Sequence, residues 1–226
     1  MRLLGLQRLT LLDFPGKIAC TVFTGGCNLR CPFCHNSSLV HSLGEEIEEE
    51  EFFAFLDSRK SRLEGVCVSG GEPTLHRDLP EFLAKIKEKG FLVKLDTNGT
   101  RPEVIADLIS SGLVDYIAMD IKNSPEKYAD TVGLSEFDTA DVMRSIEVIE
   151  SSALPHEFRT TVTGELHTPE DIRAICANLH QNTKYYIQAY RDEGDILQKG
   201  HTTPTKEALE ALLGAAKEFL PFAEIR

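Results

Sequence analysis

The chain has 226 residues and carries 24 Lys and Arg against 36 Asp and Glu, which gives a net charge of -12 at pH 7. A chain of this length is able to bury one sizeable core, and its acidity argues against a nucleic-acid-binding role, which needs a clustered basic face. No apolar run approaches the roughly 18 residues that span a bilayer. We therefore expect a cytoplasmic protein without a membrane segment.

We predict a single domain over residues 1–226, because no linker, repeat or low-complexity tract interrupts the chain. The apolar N-terminal segment, about residues 1–13, contains Arg8 and is followed by Pro15, without a small-residue cleavage site. These features do not match a signal peptide. They favour an opening strand or hairpin.

Short β-rich segments then alternate with segments of helical periodicity. Strands are predicted over residues 18–23, 65–69, 91–95, 115–119, 157–162 and 185–189. Six helices are predicted between and after these strands. The first follows the acidic run 45–51, the second covers residues 79–90, and the third starts from an N-cap at Thr100. The fourth includes residues 142–149, the fifth starts from a capping box at Thr168, and the last covers about residues 204–220 with Phe219 on its buried side. Six strand–helix units imply a parallel sheet, and we predict an incomplete parallel (β/α)6 barrel.

Two segments are predicted to lie at the surface. The glutamate run 45–51 reads as the solvated face and first turn of a helix, where negative charge favours the helix dipole. A docking patch is the alternative interpretation of this run. Residues 123–138 read as an exposed loop and as the most mobile part of the chain.

The most informative segment is a loop that carries three thiols within eight residues: Cys27, Cys31 and Cys34. Closed zinc sites and ordinary electron-transfer clusters use four protein ligands, so three cysteines favour a metal centre with one open position. Zinc bound by three thiols and His35 is an alternative, although His35 follows Cys34 directly and the two side chains rarely reach one tetrahedral ion. The other cysteines are predicted to be inert thiols on buried faces: Cys20, Cys67 and Cys176.

The motif Cys27-x3-Cys31-x-Phe33-Cys34 resembles the signature of radical S-adenosylmethionine (SAM) enzymes. The segments 13–17 and 34–36 are similar to those of glycyl-radical-enzyme activating proteins. Within that group, the chain most resembles the activating proteins of anaerobic ribonucleoside-triphosphate reductase, and pyruvate formate-lyase activating enzyme is a relative. The likeness extends from about residue 5 to about residue 195.

The resemblance implies a partial barrel that holds one 4Fe–4S cluster on the three cysteines. It also implies reductive cleavage of SAM to generate a glycyl radical on a partner enzyme, with flavodoxin or ferredoxin as electron donor. No cysteine lies between His35 and Cys67, so we expect no auxiliary cluster. Two alternatives stay open, namely a radical SAM enzyme that acts on a small molecule and a non-catalytic iron–sulfur or zinc module.

Polar residues follow the predicted strands at their carboxyl ends, which share one mouth in a parallel barrel. By resemblance, segment 70–72 binds the SAM ammonium, and the turn 96–99 lies beside the SAM carboxylate, where a monovalent cation can bridge near Asp96. Arg159 interrupts a β-branched strand and requires an anionic partner, which the cofactor would supply. The residues assigned to cofactor binding are Phe33, Gly70, Gly71, Glu72, Asp96, Asn98, Asp120, Lys122, Arg159 and Gln188.

Overall fold

A single sheet organises the chain. The structure is a computed structural model that describes residues 1–192 and 194–226. Eight strands, β1 to β8, lie side by side in chain order: Leu3–Thr10, Ala19–Thr24, Gly65–Gly70, Leu92–Thr97, Tyr116–Asp120, His156–Val162, Tyr185–Ala189 and Glu224–Ile225. β1 is antiparallel to β2, and the strands from β2 to β8 are parallel. Among the described residues, no strand pairing joins β8 to β1. The barrel is therefore incomplete, as predicted.

In the described part of the chain, eight helices connect the strands, with two 3-10 turns at Pro73–Leu75 and Pro125–Lys127. The helices, α1 to α8, are Ser37–Val40, Glu49–Arg59, Leu79–Glu88, Pro102–Ser110, Tyr128–Thr131, Ala140–Ser151, Pro169–Cys176 and Lys206–Lys217. Their apolar faces bury one large cluster against the outer face of the sheet. The capping box is confirmed, because the Thr168 hydroxyl accepts from the Asp171 amide while the Asp171 carboxylate accepts from the Thr168 amide.

All six predicted strands are present, each within two residues of its predicted bounds. The first predicted strand or hairpin is β1, and the first turn of α2 contains Glu49, Glu50 and Glu51, as expected for the acidic run. β8 was not predicted, because two residues carry no periodicity. The short helices α1 and α5 were missed for the same reason.

A small cluster around two aromatic rings lies at the end of the barrel opposite the cysteine loop. The Phe14 ring is 3% exposed and lies 6.1 Å, centroid to centroid, from the ring of Tyr116. Ala19 and Leu92, the first residues of β2 and β4, complete this small cluster. Segment 13–17, which contributed to the family resemblance, therefore lies at the amino ends of the strands, away from the predicted site.

Two helix predictions were wrong in detail. α4 has Arg101 as its N-cap residue, because Thr100 directs its hydroxyl to Asn98 instead. α8 begins at Lys206 after the cap residue Thr205, and Phe219 lies 39% exposed beyond its end.

The segment 123–138 is not the exposed loop that we predicted. It contains the second 3-10 turn and α5, and Asn123 and Tyr128 are both 1% exposed. The Asn123 amide donates to the Thr131 hydroxyl at 2.8 Å, and the Tyr128 ring stacks on Phe137 with centroids 4.9 Å apart. Side-chain packing of this kind over a short segment has no periodic signal in the sequence.

Over the part of the chain that the structure describes, no helix has both the length and the apolar character needed to cross a membrane.

The packing predicts how two phenylalanines differ. Phe52 of α2 is fully buried and its ring lies 5.4 Å from that of Phe82, so Phe52→Ala is expected to lower the free energy of unfolding by about 3–5 kcal/mol. The matched control is Phe219→Ala, because Phe219 is 39% exposed; its effect is expected to stay within about 0.5 kcal/mol. Anaerobic denaturant unfolding of both variants measures the difference, and equal effects would contradict this account of the core.

Candidate active site

The carboxyl ends of the parallel strands surround a cavity of about 280 Å³. Every residue that the sequence assigned to metal or cofactor binding lines it: Cys27, Cys31, Phe33, Cys34, Gly70, Gly71, Glu72, Asp96, Asn98, Asp120, Lys122, Arg159 and Gln188. Arg191, which follows β7, is exposed and is not part of the lining. The structure thus brings the predicted residues together, and their individual roles stay predictions.

The three thiols project from a loop that its own backbone holds in place. The Cys34 amide donates to the Cys31 carbonyl at 3.0 Å, and the Arg30 guanidinium donates to the Cys27 carbonyl at 2.6 Å. Cys31 is buried, whereas Cys27 and Cys34 are half-buried. Burial raises the pKa of the Cys31 thiol to about 12, although the nearby Lys122 ammonium opposes this effect. Burial also raises the pKa of Cys27.

The first predicted cofactor motif packs directly on the cysteine loop. The Gly71 amide donates to the Thr24 carbonyl at 2.9 Å, and the Glu72 amide donates to the Gly26 carbonyl at 2.8 Å. A β-carbon at Gly71 would lie 2.0 Å from the Gly26 carbonyl oxygen, and Gly70 has φ +123°. Only glycines permit this approach, so both are required to seat the two loops against each other.

Glu72 is 1% exposed, and its carboxylate already accepts four hydrogen bonds from protein groups. Oε1 accepts from the amide and hydroxyl of Thr74 and from the Thr97 hydroxyl, while Oε2 accepts from the Asn98 amide at 2.6 Å. Burial raises the pKa of Glu72, and these hydrogen bonds oppose it. The side chain predicted to bind the SAM ammonium is thus engaged in joining the loop after β3 to the loop after β4.

A second network connects that loop to the cysteines. The Asn98 amide donates to Asn28 at 3.0 Å, and its Nδ2 lies 3.9 Å from the Cys27 sulfur. Asn28 in turn donates to the Thr100 hydroxyl at 2.9 Å. Asn28 was not predicted, and Thr100 was predicted to cap a helix. Neither residue carries a pattern that distinguishes this network from ordinary turn hydrogen bonds.

A chain of alternating charges crosses the floor of the cavity. The Asp120 carboxylate accepts from Arg159 Nε at 2.8 Å and from Lys122 Nζ at 3.0 Å. Arg159 also reaches Asp96 at 3.5 Å, and Lys94 pairs with Asp96 from below. Arg159 therefore has the anionic partners that its position in a strand required, and they belong to the protein itself.

These pairings keep the acidic groups ionised. Burial alone would raise the pKa of Asp120, but Arg159 and Lys122 outweigh it and hold that pKa below its ordinary value. Arg159 and Lys94 hold the pKa of Asp96 down in the same way against burial. Asp120 in return raises the pKa of Lys122 against the effect of burial.

Lys94 is a buried partner of the predicted site residue Asp96 and was not itself predicted. It is fully buried in β4, two residues before Asp96 and therefore on the same face of the strand. The sequence does place this lysine between the apolar residues Val93 and Leu95 and two residues before the predicted site residue Asp96. This pattern is the signal that could have identified it. An isolated lysine in a strand is usually solvent-facing, so the pattern did not separate the two cases.

Phe33 is 4% exposed and packs edge-on against three rings, with centroids 6.2 Å from His167, 6.4 Å from Tyr190 and 6.1 Å from His201. A strap, residues 195–198, covers the same side of the cysteine loop. Within it, the Leu197 amide donates to the Cys34 carbonyl at 3.1 Å and the Gln198 amide donates to the Pro32 carbonyl at 2.8 Å. Phe33 and the strap thus pack on the same side of the cysteine loop, and the strap was not predicted.

On the side of the cavity formed by β6 and β7, two uncharged residues, Thr161 and Gln188, line the cavity beside Arg159. The Thr161 hydroxyl lies 3.5 Å from the Gln188 side-chain oxygen, a long contact that leaves both groups able to bind a ligand.

Comparisons with known proteins agree with this geometry. The family model described as the radical SAM superfamily matches residues 21–179. The chain is 35% identical over 233 residues to a protein of Methanocaldococcus jannaschii named, by inference, as a glycyl-radical enzyme activating enzyme; the match covers 98% of this chain and 94% of that protein. It is 28% identical over 204 residues to the pyruvate formate-lyase-activating enzyme of Clostridium pasteurianum, and this match covers 85% of this chain and 83% of that enzyme.

The crystal structure of Streptococcus suis SuiB has the same fold, with a TM-score of 0.69 at 14% identity. The match covers 91% of this chain and 48% of SuiB, so the chain spans about half the length of that protein.

The ionised floor predicts an acid-sensitive stability. Because the pKa of Asp120 is lower in the folded protein than the unfolded value of about 3.9, its stabilising contribution is present above about pH 4 and is lost as the pH falls toward the folded pKa. Asp120→Asn removes this proton uptake. We expect the free energy of unfolding of this variant to fall less steeply with decreasing pH than that of the wild type. The two slopes should differ by up to about 1.4 kcal/mol per pH unit.

Unfolding measured between neutral pH and about pH 3 tests the slope. The control is Asp107→Asn, at an exposed position of α4. A wild-type slope in Asp120→Asn would show that this carboxylate does not stabilise the fold through ionisation.

Proposed function

Because this chain belongs to the radical SAM superfamily, we propose that it is a glycyl-radical-enzyme activating enzyme, which generates a radical on a glycine of a partner protein. The family uses a 4Fe–4S cluster and SAM. The observation that carries the proposal is 35% identity over almost the whole length of a relative with that name.

The three thiols suit the cluster. All three cysteines line the same cavity, and Cys27 and Cys34 both raise the pKa of Cys31. Iron binds the thiolate, and binding must therefore displace the protons that burial favours. Lys122 lies close enough to Cys31 to offset part of the negative charge. When bound, the cluster supplies an electron and SAM supplies the 5′-deoxyadenosyl group that removes a hydrogen atom from the target.

The remaining residues would bind and orient SAM. Asp96, Asp120 and Arg159 present ordered charges to its polar groups, and the glycines of segment 70–71 expose backbone close to the cysteine loop. Glu72 holds the two loops together. This division assigns Glu72 a positioning role in place of the direct ammonium contact that the sequence suggested.

The charge distribution favours a peptide over an anionic metabolite as the second substrate. Among residues 1–192 and 194–226, the two cations lining the cavity, Lys122 and Arg159, both pair with Asp120. An anionic metabolite would have to compete with that carboxylate. By contrast, Thr161 and Gln188 offer a hydroxyl and an amide to a backbone peptide group.

The partner that we propose first is anaerobic ribonucleoside-triphosphate reductase, and pyruvate formate-lyase is second. Segments 13–17 and 34–36 support this order through their resemblance to the reductase activators. The chain has six cysteines, of which three lie in the loop and three are dispersed and buried, which fits an activator with one cluster. Flavodoxin or ferredoxin would donate the electron.

The function is tested by incubating the anaerobically reconstituted protein with SAM, dithionite and the glycyl radical enzymes of the same organism. We expect a stable glycyl radical doublet in the partner by electron paramagnetic resonance, accompanied by methionine and 5′-deoxyadenosine. The matched control is a partner whose target glycine is replaced by alanine, which should give no doublet. The proposal fails if SAM is cleaved, neither partner is radicalised, and cleavage instead rises with a small metabolite.

The cluster assignment predicts two classes of cysteine variant. Cys27→Ala, Cys31→Ala and Cys34→Ala are each expected to abolish the cluster, because each removes one of its three protein ligands. Cys67→Ala and Cys176→Ala are the controls, since both residues are buried and neither lines the cavity, so both variants should retain the cluster. Iron and sulfide analysis of reconstituted protein gives the answer, and iron loss in the controls would overturn the ligand set.

A further inference from the structure

We propose that Lys94 supplies the positive charge that a monovalent metal ion would otherwise bring to Asp96, so that SAM binding by this protein requires neither Na⁺ nor K⁺. The inference deepens the proposed function by concerning the same site, but it depends only on SAM as cofactor and not on the partner.

The position of Lys94 is the first support. Its side chain is 1% exposed, and its ammonium pairs with Asp96 Oδ1. The same nitrogen lies 3.9 Å from the Cys67 sulfur and 6.0 Å from the centre of the Tyr116 ring. A lysine is rarely buried without a partner, because removing its charge from water is costly. Asp96 is that partner, and Lys94 holds a fixed position beneath the cavity.

The second support is the occupancy of the carboxylate oxygens. Asp96 Oδ2 accepts from the Ser69 hydroxyl at 3.2 Å and faces Arg159 at 3.5 Å. Both oxygens of Asp120 are bound to Arg159 and Lys122. A metal ion at Asp96 would therefore share its oxygen with a cation of the protein, Lys94 at Oδ1 or Arg159 at Oδ2. The residues present do not fit the bridging cation that the resemblance suggested.

The third support is the charge of the floor. It contains three cations, Lys94, Arg159 and Lys122, and the two carboxylates Asp96 and Asp120. The single excess positive charge suits one ligand carboxylate, such as that of SAM. A further metal ion would lie close to a buried ammonium and an arginine, where like charges repel strongly because water is excluded.

The test measures the SAM dissociation constant of cluster-loaded protein by equilibrium dialysis, without any partner or turnover. Choline chloride, NaCl and KCl are compared at one ionic strength. Wild-type protein is expected to bind SAM equally in all three salts. This arm requires no variant, and a severalfold gain in affinity with Na⁺ or K⁺ would overturn the proposal.

Two variants separate charge from packing. Lys94→Ala leaves space for an ion, so its affinity should fall about tenfold or more in choline and recover in part with Na⁺ or K⁺. Lys94→Met fills the space without charge, and it should show the same loss without recovery. Wild-type affinity of both variants in choline would show that the lysine is not needed.

The matched control is Lys87→Ala. Lys87 also pairs with an aspartate, Asp115, at 2.6 Å, but it lies on α3 outside the barrel and is 28% exposed. Its loss should leave SAM affinity unchanged in every salt. Iron content is recorded for each variant, so loss of the cluster is distinguished from loss of SAM binding. A failed glycyl radical assay would not affect these results.

Discussion

The energetic cost of burying charge governs the interior of this barrel. Asp96 and Asp120 lie inside a parallel sheet, and each is stabilised because a cation reaches it: Lys94 of the same strand reaches Asp96, and Arg159 of the neighbouring β6 reaches Asp120. The register makes this possible: Asp120 pairs with Arg159 across β5 and β6. Removing either carboxylate would leave buried cations without their partner, so Asp96 and Asp120 hold the charges of the cavity floor together.

The strand order and the location of the site were accessible from the sequence, because both follow from periodicity and from where strands end. A run such as residues 65–69 followed by Gly-Gly-Glu places its polar residues at the mouth in any parallel barrel. Lys94 was not accessible in this way. Whether its side chain points into the barrel depends on the partners that surround it, and those come from β3, β4 and β5.

The same limit applies to two residues of the turns. Glu72 was predicted to contact the cofactor, which stays a prediction, and its hydrogen bonds to Thr74, Thr97 and Asn98 were not predicted. Thr100 was predicted to cap a helix, but it binds Asn28 and Asn98. A turn sequence shows only that the chain bends. The hydrogen-bond partners of the turn side chains lie about 70 residues away in the sequence, as for Asn98 and Thr100 with Asn28, and the turn sequence does not identify them.

The strap has a consequence for how the protein is made. Since the strands lie in chain order, each one is able to pair with its predecessor as the ribosome releases it. The cysteine loop emerges early, yet its neighbours arrive late: Val132 accepts from the Arg30 amide, and the amides of Leu197 and Gln198 bind the loop carbonyls only after most of the chain is complete. The loop therefore has all of these contacts only after residues 195–198 have been made, so its three thiols lack them for most of the chain's synthesis.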